Sequence, residues 1–180
     1  YSTMLEQIRS ALFKKNLRGA LSSHKRQRKS HTLESARTIS ILFDATQPKH
    51  RDETLEFAKN LEKKGKKVTL LGYVKTKQPP TDLPFNFFFQ KELSWIGVPK
   101  SEKALAFAKE KSDLLLCFNP ADEAPLAWLA VPAQAAMKIG FATAYANDFD
   151  MILEIPAEKG IRYFTEQLHQ YLDKIVLSTK

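Results

Sequence analysis

From Thr38 onward, apolar residues come in short continuous runs, separated by stretches in which they recur every three or four positions. The runs TISILFD (38–44), KVTLLGY (67–73), FNFFF (85–89), DLLLCF (113–118), IGFATA (139–144) and MILEI (151–155) have the length and β-branched or aromatic content of strands. Between them, TQPKHRDETLEFAKNLEKKGK predicts a turn and a helix that points Leu55, Ala58 and Leu61 inward and stops at Gly65. SEKALAFAKEK predicts a second helix capped by Ser101. PADEAPLAWLAVPAQAAMK reads as an alanine-rich helix broken near Pro132, and EKGIRYFTEQLHQYLDKIVL as a closing helix with Ile161, Phe164, Leu168, Leu172 and Ile175 on one face. Strands apolar on both sides must be covered on both sides. The expected architecture is therefore α/β: a three-layer α/β/α open, mainly parallel sheet of five to six strands, Rossmann-like or flavodoxin-like.

The first 37 residues follow a different pattern. STMLEQIRSALFKKNLRGAL (2–21) predicts an amphipathic helix, with Thr3 and Glu6 at capping-box spacing and with Leu5, Ile8 and Leu12, joined by Met4 and Ala11, sharing a face. SSHKRQRKSHT and the residues up to Arg37 lack apolar periodicity and read as a mobile linker. This divides the chain into a basic arm, 1–37, and a single α/β domain, 38–180.

Charge sharpens that division. The arm holds Arg9, Lys14, Lys15, Arg18, Lys25, Arg26, Arg28, Lys29 and Arg37 against Glu6 and Glu34, a net +7 in a chain whose total is +8. Such asymmetry points to an anionic partner. Four cations in a flexible segment suit a phosphate backbone, so the leading expectation is a non-enzymatic, RNA-binding protein whose nine arm cations contact phosphates, with ribosomal RNA or the ribosome as the partner. A peripheral membrane protein anchored by the N-terminal helix is a further reading. Amphipathic, Arg- and Ser-rich leaders also resemble transit peptides.

An open α/β sheet binds ligands beyond the carboxyl ends of its strands. The polar residues there are Asp44 and Thr46 after the first run and Asn119 after the fourth, a candidate small-ligand site and the basis of an enzymatic alternative. The turn DATQPKHRDE contains no glycine, and the six glycines (19, 65, 72, 97, 140, 160) form neither a dinucleotide fingerprint nor a P-loop. His24, His31, His50 and His169 stand at no metal-ligand spacing, so no metal or cofactor is expected. Phe85, Phe87, Phe88, Phe89, Trp95 and Trp128 are expected in the core or an interface rather than on a base-stacking platform. The lone Cys117, inside an apolar run, reads as a buried thiol. A reducing compartment follows, and no run of apolar residues is long enough to span a bilayer.

The order TISILFDAT…KHRDETLEFAKNLEKKGKKVTLLGYV, then DLLLCFNP and the final helix, resembles a family of uncharacterised Bacteroidetes α/β proteins of similar length. The resemblance covers most of the chain and implies a bacterial, cytoplasmic protein. It brings no activity and no site residues.

Overall fold

A computed structural model describes residues 2–178, with side chains over 3–172. Six strands form one sheet: β1 (Thr38–Asp44), β2 (Lys67–Val74), β3 (Asn86–Phe89), β4 (Ser112–Phe118), β5 (Ala135–Phe141) and β6 (Met151–Leu153). Their order is β3-β2-β1-β4-β5-β6, and every neighbouring pair is parallel. The chain thus builds outward from β1 to one edge, returns, and builds from β4 to the other. That reversal puts the topological switch point between β1 and β4.

Parallel neighbours need crossovers, and the crossovers supply the outer layers. Helices α2 (Pro48–Lys63) and α5 (Gly160–Ser178) cover one face, where Phe57, Ala58, Leu61, Ile161, Phe164, Leu168 and Leu172 meet Ile39, Ile41 and Phe43 of β1. The opposite face is covered by α3 (Glu102–Lys109) and α4 (Ala124–Leu129), whose Ala104, Phe107, Leu126 and Leu129 meet Leu42, Leu71, Leu115 and Cys117. Alternate residues of a strand point to opposite faces, and both sets are apolar because both faces are covered. The Ser101 cap forms, its hydroxyl accepting from the Ala104 amide.

Three local readings change. Residues 120–138 are not one broken helix: α4 ends at Leu129, and Ala135 already pairs with Ser112 as β5 begins. Alanine's helix propensity yields there to ladder pairing with β4, with Ala133 and Ala135 buried in the cluster that holds α3 and α4. In α2 it is Phe57, rather than Leu55, that joins Ala58 and Leu61 in the core. The N-terminal helix α1 (Ser2–Ser23) already includes Thr3, so Thr3 does not cap it. The Ile175 side chain lies outside the described residues.

The larger correction concerns residues 24–37, which are not a mobile linker. They run as a strap along the sheet, burying Thr32, Leu33 and Ala36. The Lys29 amide donates to the Ala136 carbonyl at 3.0 Å. Asp113 of β4 accepts from the Arg37 amide at 2.8 Å and the Thr38 amide at 3.3 Å. These amides hold its carboxyl below the usual range. The strap lacks periodicity because it forms neither helix nor strand, yet its backbone groups find partners on the sheet.

Candidate functional site

The strand ends come first, since this topology usually places a ligand there. Phe43 of β1 pairs with Phe118 of β4, which sets Asp44 and Asn119 side by side at the switch point. Asp44 accepts from the Thr46 amide at 3.0 Å, and the Thr46 hydroxyl accepts from the Lys75 amide at 3.0 Å. Asn119 spends its amide group on Glu123, accepting from the Glu123 N–H at 2.8 Å and donating to its carbonyl at 3.0 Å. The three sequence candidates are thus brought into one neighbourhood, and each shapes a turn. Asp122, held at φ +54°, ties down the next loop by accepting from the Thr143 hydroxyl at 2.6 Å and the Ala144 amide at 2.8 Å. The cavity beside Asn119 and Asp122 is only about 10 Å³, room for about one water. Cys117, at its floor, is buried, and burial pushes its thiol up to about 12, so it is inert as a nucleophile at neutral pH.

What this cluster does have is concentrated negative charge. Burial raises the Glu123 carboxyl, Lys75 at 3.4 Å partly offsets this, and Asp44 adds to it. A carboxyl raised in the folded state binds protons there more readily than in the unfolded chain. Its contribution is fully present below the unfolded pKa of about 4.3 and is lost as pH rises through the folded value. Glu123→Gln is therefore expected to flatten the decline in stability above about pH 4.3. Urea midpoints at pH 4.5 and 7 for the two proteins check this; equal pH dependence would contradict it.

The cations of the arm divide into committed and free. The Arg26 guanidinium, its side chain 4 % exposed, donates to Asp148 at 3.2 Å and Asp150 at 2.8 Å. It also bonds the carbonyls of Ala135, Ala136 and Asp148. Arg26 is therefore removed from the set of phosphate contacts, since every phosphate bond would cost an internal one. Beneath it lies Lys138 of β5, fully buried, with Nζ donating to the Ala130 and Val131 carbonyls at 2.8 Å and to Asp148 at 3.0 Å. Burial lowers the Lys138 ammonium to about 8, with Asp148 opposing the shift. The Asp150 carboxylate also accepts from the Lys138 amide at 2.8 Å and from the exposed Arg28 at 3.1 Å. Two cations and two acids so form a clasp joining the strap, β5 and the loop before β6. A lysine in the apolar run AAMKIGF and the pair Asp148/Asp150 in NDFD were its sequence signals, and neither is interpretable without knowing what lies opposite.

The remaining arm cations face outward. Lys14, Lys15, Arg18, Lys25, Lys29 and Arg37 are exposed, and among the described residues none has an acid in ion-pair contact. Arg9 stacks over the Trp95 ring at 5.3 Å. Trp95, expected in the core or an interface, is 55 % exposed and so not in the core.

Helix α1 carries two apolar stripes. In its second half Phe13 and Leu17 are buried with Val131 against Trp128, Val98 and Tyr145, and the Trp128 indole donates to Asn16 at 2.8 Å. In its first half Met4, Leu5, Ile8 and Leu12 are 70, 45, 46 and 39 % exposed. At about 100° per residue these four fall within an arc of roughly 100°, turned about 150° from the arc of Phe13, Leu17, Ala20 and Leu21. The stripe read from the sequence exists, but the body binds the other one. The exposed stripe is left without a buried partner among the described residues, and Trp95 reaches its border through Arg9.

The chain belongs to DUF6913, a family of unknown function, whose model matches residues 9–175. No curated protein matches it. No helix among the described residues is long and apolar enough to cross a membrane.

Proposed function

We propose that the protein attaches peripherally to an anionic lipid surface through α1, which lies in the interface with Met4, Leu5, Ile8 and Leu12 toward the acyl chains. The exposed stripe carries this reading. Exposed Leu and Ile side chains gain nothing from phosphates in water, whereas an interfacial helix is built from such a stripe and flanking cations. By the same angular count Arg9 borders the stripe on one side and Arg18 on the other, while Lys15 continues the stripe's own face toward the C-terminus. Each cation near an anionic surface adds about 1 kcal/mol, and long basic side chains let their charges stay in the headgroup region. Trp95 suits the same depth, with an apolar ring and a polar N–H.

RNA is the competing partner, and the free lysines Lys25 and Lys29 favour it. Its original support was a flexible basic segment, and the strap is folded down. The two readings separate on the apolar stripe. The full chain is expected to co-sediment with vesicles of phosphatidylcholine and phosphatidylglycerol at low salt, and to bind pure phosphatidylcholine more weakly. Ile8→Glu with Leu12→Glu, both at exposed positions, is expected to weaken this binding by more than about tenfold without changing the unfolding midpoint. RNA binding indifferent to that pair, with no vesicle binding by the wild type, would favour the RNA reading instead.

A further inference from the structure

We propose that the junction between α1 and the strap is a proton-sensitive latch: protonation of the His24 ring loosens the docking of the strap and, with it, of the helix on the body. His24 follows α1 directly, its amide donating to the Ala20 carbonyl at 3.0 Å, and lies two residues before Arg26 of the clasp. Its ring sits close to the Ala133 carbonyl, and Nε2 is buried with no hydrogen-bond partner. The charged groups around it come from three elements. Lys138 of β5 and Arg26 of the strap disfavour a charged ring, and Asp148 of the loop before β6 favours one.

The carboxylates have little left to give a new cation. Asp148 already receives Lys138 Nζ at 3.0 and 3.1 Å and Arg26 Nε at 3.2 Å. Asp150 receives Arg26, Arg28 and the Lys138 amide. A neutral ring avoids an orphan donor by carrying its proton on Nδ1, so that Nε2 presents only a lone pair toward a cationic neighbourhood. Adding a proton creates a buried N–H without an acceptor and a third cation beside Arg26 and Lys138. Undocking the strap relieves both.

Burial and Lys138 together lower the His24 pKa, which fixes the direction. A base lowered in the docked state supports docking above its free value of about 6.5 and loses that support as pH falls. At pH 5.5 a free imidazole is about tenfold more protonated than neutral, so docking weakens by up to about tenfold. His31 lies on the same strap with Nε2 3.9 Å from Asp113, outside the His24 neighbourhood, and its variant is the control for replacing a strap histidine.

The test uses the full chain without lipid, so it does not depend on the attachment reading. Hydrogen exchange of the Lys29 amide reports on the strap, and that of Leu115 in β4 reports on the whole fold, each corrected for its intrinsic rate. Protection of Lys29 relative to Leu115 is expected to fall by up to about tenfold between pH 7.5 and 5.5, to be pH-independent in His24→Gln, and to fall as in the wild type in His31→Gln. An unchanged ratio in the wild type, or an equal fall in His24→Gln, overturns the proposal. Should that variant fold poorly, the His24 ring is titrated in the wild type by NMR: a midpoint below 6.5 supports the latch, and one at or above 6.5 overturns it.

Discussion

Arg26→Ala is expected to cost about 3–5 kcal/mol, the range for removing one member of a buried ion pair. The guanidinium donates to two carboxylates and three carbonyls. Removing it leaves Asp148 with Lys138 alone and Asp150 with the exposed Arg28, while the three carbonyls lose a donor. Much of the loss is the penalty on the groups left behind rather than the net worth of the pair. Arg26→Met, which keeps some of the packing, still takes one cation from each acid and a donor from three carbonyls, and is expected to recover only a small part. Urea unfolding measures the cost, and trypsin cleavage after Lys25 or Lys29 shows whether the strap opens first. A midpoint close to wild type with an uncut strap would mean that the clasp is not what fastens the arm.

Phe164→Ala is expected to cost a similar 3–5 kcal/mol for a different reason. The ring is fully buried, stacked on Phe141 at 4.4 Å with a 10° interplanar angle and edge-on to Phe118 at 5.3 Å. It is the main knob by which α5 grips β4 and β5, and truncation leaves a cavity that the rigid sheet cannot collapse to fill. The start of α5 depends on the same packing, since Glu53 of α2 accepts from the Arg162 amide at 2.8 Å only while the two helices lie together. Phe164→Leu should cost much less, about 1–2 kcal/mol, because most of the volume stays filled. Chemical denaturation of the pair tests this, and equal losses for Ala and Leu would place the importance of the site in ring stacking rather than volume.

Much of the architecture was legible because continuous apolar runs have one common solution. TISILFD is β1 residue for residue, and Ile161, Phe164, Leu168 and Leu172 face the core as their helical spacing required. The segment 120–138 was misread because Ala and Met fit a helix and a buried strand alike. Only the partner strand, pairing Ser112 with Ala135 and Leu114 with Met137, settles the choice. At the strand ends, Asp44, Thr46 and Asn119 follow β1 and β4, as the ends of the apolar runs indicate, while the strand order that makes this the switch point came from the structure. Their hydrogen bonds, which decide between shaping a turn and holding a ligand, depend on loops that the sequence does not position.

The sequence by itself determined the layered α/β body and the excess of positive charge in the first 37 residues. Both depend on composition and local periodicity, which survive in one dimension. Only the tertiary structure decided which cations are free, which stripe of α1 meets the body, and that residues 24–37 are fastened down. Those outcomes depend on pairs such as Arg26 and Asp150, separated by 124 positions along the chain and 2.8 Å in space. A charge becomes a clasp or a contact surface according to what lies across from it, and that is settled only when the chain folds.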